Sequence, residues 1–184
     1  CAYDGYASNP YVNPIGAINY NGDSSWYSEG CSGLMAVMPS SGAGKGITTS
    51  DLLGPQGYAQ GECTATFGGT SSAAPTAAGV IALLLEKNGN LTWRDVKHVI
   101  ALGATQIKKS DPRWITNNRG YHHHTMFGFG LLKVPALLDV LDHYDLVPKR
   151  QIQFISHEIR EETQISETAS LVFDLTNNTD TGIR

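Results

Sequence analysis

Residues 67–87 read FGGTSSAAPTAAGVIALLLEK, and the fold turns on this stretch. Ala73, Ala77, Val80, Ile81, Leu84 and Leu85 recur at spacings of three and four, which predicts a helix with one broad apolar face. Ala73, Ala74, Ala77 and Ala78 favour helix and let it lie close against a neighbour. Pro75 stands near the start, where a missing backbone donor costs least. Gly79 is interior and costs about 1 kcal/mol relative to Ala, which close packing would account for. Gly68 and Gly69 permit a tight entry, and Thr70 or Ser71 stands at or near the first turn. A serine there has two readings. It is an N-cap, worth about 1 kcal/mol, or a nucleophile held where free backbone N–H groups stabilise an oxyanion.

The chain has 184 residues, 41% hydrophobic and 16% charged, a globular composition rather than a disordered one. No apolar run reaches membrane-spanning length, and no basic-then-apolar leader opens the sequence. The net charge of −4 lies wholly in residues 1–70, where Asp4, Asp23, Glu29, Asp51 and Glu62 face Lys45 alone. Nucleic-acid binding gains no support from this; it suits a basic ligand or a hard cation, and five carboxylates in seventy residues equally read as ordinary surface. Cys1, Cys31 and Cys63 form an odd set with no C-x-x-C spacing.

Along the chain, residues 11–19, 34–38 and 47–49 read as short strands, with 52–63 as loop. A second helix follows NGN at 88–90, with Thr92 and Asp95 at capping-box spacing. A third lies near 134–143, with Pro135 in its first turn. The consecutive histidines 122–124 point in different directions and read as solvated loop rather than a metal site, and Trp93 and Trp114 read as packing. The composition changes near Asp145. Residues 146–184 then read as a linker and the incomplete start of a second domain with strand-like runs.

GTSSAAP at 69–75 resembles the nucleophile segment of subtilisin-like serine proteases. CAYDGYASNP at the start, WYSEGCS at 26–32, ITTSDL at 47–52, NLTWRDVKHV at 90–99 and FGFGLL at 127–132 are similar, in the same order, to the kexin/furin-type proprotein convertases. The resemblance covers residues 1–145 and, weakly, the beginning of the P domain. It implies an α/β, three-layer subtilisin-like catalytic domain, of which 1–145 is the C-terminal portion, followed at 146–184 by the start of a β-sandwich. The activity it implies is calcium-dependent serine endopeptidase cleavage of proproteins after paired or clustered Arg and Lys.

The resemblance assigns roles to single residues. Ser71 matches the nucleophile, and its own N–H one oxyanion donor. Asp4, in DGY, matches the aspartate that lines the pocket for the basic side chain. Glu29, in YSE, matches a ligand of Ca2+ beneath that pocket. Cys1 and Cys31 match a disulfide, and Cys63 a cysteine whose partner lies upstream. Asn90 matches a glycosylation position with its sequon NLT, and Asn177 heads a second sequon, NNT. Ser72 departs from the family, which usually has Ala or Met there, and receives no catalytic role. Read without the family, Asp4 before Gly5 is a plain turn residue and Glu29 ordinary surface.

A serine is a poor nucleophile without a base, and the family's catalytic Asp, His and oxyanion Asn precede the first residue of this chain. All six histidines follow Ser71 in the sequence. The isolated chain is therefore expected to be inactive, the alternative being a catalytically inactive fragment or pseudo-protease that acts as a scaffold. The resemblance further implies the secretory pathway (Golgi, late compartments or cell surface), an inhibitory propeptide in the full-length protein, and room for a membrane anchor outside this chain. Lys108–Lys109 and Lys149–Arg150 are dibasic pairs of the kind such enzymes cleave, although surface solubility explains them equally well.

Overall fold

The computed structural model describes Cys1 and residues 3–149, and Cys1–Pro148 forms one compact unit. The expected second domain, including Asn177, lies outside the described residues except for positions 146–149.

The centre of the unit is a parallel pair, β1 (Ile15–Ile18) with β2 (Ala36–Pro39), in the register Ile15↔Ala36 through Ile18↔Pro39. Ala17, Ile18, Ala36, Val37 and Met38 are buried, as a strand covered on both faces requires. On the other edge of β2, Val37 makes a parallel bridge to Leu131. A second pair, β3 (Ile47–Ser50) with β4 (Cys63–Phe67), is antiparallel and irregular between Ile47 and Thr49. A third, β5 (Ile115–Thr116) with β6 (His122–His123), is a two-residue antiparallel ladder. The described residues therefore hold an α/β arrangement with three two-stranded sheets.

Helix α1 (Thr70–Lys87) lies against β1, β2 and α3. Its buried face is Ser72, Ala73, Ala77, Val80 and Leu84. That face is narrower than the periodicity predicts: Ile81 is half-buried and Leu85 is 41% exposed. The small alanines let the helix approach the β1–β2 pair closely. Gly79 has open space where a Cβ would stand, so close packing does not explain it. Pro75 is the sixth helical residue rather than part of the first turn. Its missing N–H removes the bond that would reach the Ser71 carbonyl four residues back.

Helix α2 (Trp93–Gly103) starts on the predicted capping box, with both reciprocal bonds formed between Thr92 and Asp95. Its inner face, Val96, Val99 and Ile100, joins Leu84 of α1 and Leu137 of α3 (Val134–Leu141) in the main core. Gly103 brings α2 and α3 together, since a Cβ there would press on Leu137 at 3.0 Å. The expectation for the histidine triplet is partly overturned. His122 is exposed, but His123 is half-buried and His124 fully buried, stacked on Phe127 at 4.5 Å and beside Trp114 at 5.1 Å.

Candidate active site

The entry to α1 decides what Ser71 can do. Gly69 is the N-cap residue, with φ +75 and no side-chain capping bond, so neither Thr70 nor Ser71 is the cap. Ser71 is instead the second helical residue, and it is exposed. The first four N–H groups of a helix have no partner within it, and no side chain caps these. Free main-chain N–H groups beside an exposed hydroxyl are the local chemistry that an oxyanion needs, although the Ser72 N–H is taken by the Gly69 carbonyl at 3.2 Å.

Ser71 and Thr70 line a cavity of about 600 Å³ together with Asp4, Tyr6, Tyr27 and Glu29. Asp4 is exposed, and its Oδ1 accepts from the N–H groups of Tyr6 (2.9 Å) and Ala7 (2.7 Å). The carboxylate thus closes a turn, and Asp4 also lines the Ser71 cavity. Glu29 is exposed. Among the described residues no three His, Cys, Asp or Glu side chains cluster to hold a metal. Calcium takes 6–8 oxygens, so Glu29 and its described neighbours do not by themselves make such a site. No histidine among the described residues lines the cavity.

The Cys1–Cys31 disulfide is formed, with Cα atoms 5.9 Å apart, and Cys63 is free and exposed. Asn90 is exposed, but the threonine of its sequon is occupied: Thr92 Oγ1 donates to Asp95 Oδ2 at 2.5 Å.

A hydroxyl cluster behind Ser71 has no signal in the sequence, because Tyr27, Ser40, Ser41 and Ser72 come from three separate segments. Ser40 Oγ donates to the Gly69 carbonyl at 2.6 Å and meets Ser72 Oγ at 2.5 Å. Tyr27 OH lies 2.7 Å from the Ser41 carbonyl and 2.8 Å from Ser40 Oγ. Burial pushes the Tyr27 phenol up. The hydroxyls of Ser25, Ser40 and Ser41 and the Gly69 main chain outweigh this, and its pKa lies below the usual tyrosine value. Ser72, given no role from sequence, is 4% exposed and belongs to this cluster.

The chain belongs to the subtilase family, whose model matches residues 6–130. It is 43% identical over 141 residues to kexin of Saccharomyces cerevisiae, covering 76% of this chain and 16% of that protein. It is 40% identical over 150 residues to the human proprotein convertase subtilisin/kexin type 7, covering 80% of this chain and 19% of that one. The chain thus spans less than a fifth of these relatives. Its fold matches the crystal structure of the Aeromonas sobria serine protease with a TM-score of 0.69 at 22% identity, over 73% of this chain and 30% of the other. Within the subtilase family the chain is related to the kexin/furin-type proprotein convertases.

Proposed function

We propose that this chain supplies the nucleophile side of a serine endopeptidase that cleaves proproteins after basic residues. The observation that carries the reading is the single cavity on which Ser71 and Asp4 both open. Ser71 attacks the scissile carbonyl, and its own main-chain N–H helps to hold the oxygen that becomes negative. Asp4 pairs with the substrate cation, best as the fork of an arginine. Since no described histidine lines the cavity, the base and its orienting carboxylate come from elsewhere in the parent protein.

The remaining expectations travel with this reading. Residues 1–145 form part of a three-layer catalytic domain, with 146–184 opening a second domain. Glu29 serves as one calcium ligand only if further oxygens come from outside the described side chains. Relatedness to kexin supports a secretory-pathway setting, proprotein substrates and an inhibitory propeptide. No described helix is long and apolar enough to cross a membrane.

The deciding test compares the 184-residue chain with the full-length protein on a fluorogenic Arg-X-Lys-Arg peptide in millimolar calcium. The full-length protein should turn over and lose that turnover on Ser71→Ala, and the short chain should be inert. Full-length turnover that survives Ser71→Ala removes the nucleophile from this chain.

A further inference from the structure

We propose that the buried hydroxyl cluster of Tyr27, Ser40 and Ser72 is a positioning device that sets the Gly69–Ser71 turn and thereby the reactivity of Ser71. This rests on the reading of Ser71 as nucleophile. The need for such a device follows from the turn itself. Gly69 has φ +75 and ψ 175, a backbone region essentially reserved for glycine, and no side chain caps the helix it introduces. What fixes the turn must therefore hold the Gly69 peptide from outside.

The cluster does this on both polar groups of Gly69. The Gly69 carbonyl accepts from Ser40 Oγ at 2.6 Å and from the Ser72 N–H at 3.2 Å, with Ser72 Oγ 3.1 Å away. The Gly69 N–H points to Ser41 Oγ at 3.4 Å. Gly68 lies so close to Ser41 that a Cβ there would collide with its side chain. The protons can be assigned without conflict. Ser72 and Tyr27 both donate to Ser40 Oγ, Ser40 donates to the Gly69 carbonyl, and Ser41 Oγ donates to the Tyr27 oxygen at 3.0 Å. Each hydroxyl proton has an acceptor, and the chain polarises toward the Gly69 carbonyl. Ser40 is 5% and Ser72 4% exposed, so the contact between these two hydroxyls is shielded from water.

Tyr27 gives the device a second end. Its ring lines the Ser71 cavity while its hydroxyl joins the cluster. A side chain in the substrate space is thus tied through Ser40 to the peptide immediately before the helix that carries the nucleophile.

The experiment uses the full-length protein and measures kcat and KM separately on a basic peptide substrate. Ser40→Ala should lower kcat about ten- to a hundredfold, the scale on which slight misplacement of a reacting group acts, with KM little changed. Tyr27→Phe should lower kcat less, because the Ser40 bond to Gly69 survives it. Ser72→Ala removes a hydroxyl without adding volume and serves if Ser40→Ala does not fold; it too should lower kcat, severalfold. Variants that shift only the melting temperature and leave kcat intact overturn the inference while Ser71→Ala still abolishes turnover. A parent protein whose Ser71 neither turns over peptide nor labels with a fluorophosphonate overturns the proposed function and this inference together.

Discussion

Val147 donates its N–H to the Asp95 carboxylate at 2.8 Å, joining the chain beyond α3 to the first turn of α2 across 52 positions. The same carboxylate accepts from Thr92 N–H at 2.8 Å and from the Tyr144 hydroxyl at 3.2 Å. A fully buried carboxylate is costly unless it is hydrogen-bonded, and this one is bonded from both ends of the segment it closes. Burial pushes the Asp95 carboxyl up, but the hydrogen bonds from Thr92, Val147 and Tyr144 prevail and hold it below the usual carboxylate value. Tyr144, buried against that negative charge, is pushed up to about 12.

Asp95→Ala should therefore destabilise the chain by about 3 kcal/mol, combining a lost cap with buried donors left unpaired. Asp95→Asn should cost less, because one oxygen still accepts. Urea denaturation with a common m-value measures both. Equal stability of the alanine variant and the parent would show that residues 144–147 do not rely on this anchor.

A pH dependence follows from His124. Its Nδ1 accepts from Met126 N–H at 2.9 Å, so the remaining proton is on Nε2, which lies a long 3.4 Å from Asp111 Oδ1. Burial lowers the His124 pKa, and Arg113 and His123 act in the same direction; Asp111 opposes them without prevailing. Asp111 itself stays ionised, since Arg113 grips it at 2.6 and 3.0 Å and holds its carboxyl far below the usual range. The unfolded chain thus binds the proton near pH 6.5 more readily than the folded chain. Stability from this group is complete above that pH and is lost as the pH falls through the lower folded value. The melting temperature should drop between pH 7.5 and 5.5, and the drop should shrink in His124→Gln. An identical slope in both proteins would assign the acid sensitivity elsewhere.

Asp4→Asn separates the two tasks of Asp4. Asparagine keeps an oxygen for the Tyr6 and Ala7 N–H groups, so the turn should survive. The charge facing the cavity is lost, and leaving a buried substrate cation unpaired costs roughly 2–5 kcal/mol. At about 1.4 kcal/mol per decade, kcat/KM in the full-length protein should fall about 30- to several-thousandfold for peptides ending in Arg. Matched peptides ending in an uncharged residue should change little. An intact Arg preference in a folded variant would leave Asp4 as a turn residue alone.

The parts of the fold legible in the sequence are those with a strong local signal. Helix α1 follows from periodicity, the start of α2 from the Thr92–Asp95 spacing, and the start of α3 from Pro135 in its first turn. Strand β4 starts at Cys63, the end of the stretch that reads as loop; CTATF carries no apolar alternation to mark it. The burial of His124 has no local cue either: in HHH the outward and inward positions carry the same letter, and only Trp114 and Phe127, brought from both sides, separate them. The candidate site divides in the same way. GTSSAAP and DGY stand out as strings, whereas the serines and the tyrosine behind Gly69 meet only through folding. Gly79 remains a residue for which nothing in the structure gives a reason.

The Cys1–Cys31 bond turns the first thirty-one residues into a covalent ring that contains β1 and the turn at Asp4. A peptide bond broken inside that ring releases nothing. The piece before the break stays joined through the sulfur bridge and the piece after it through the main chain, so a nick on the acidic rim of the cavity stays hidden until the protein meets a reductant.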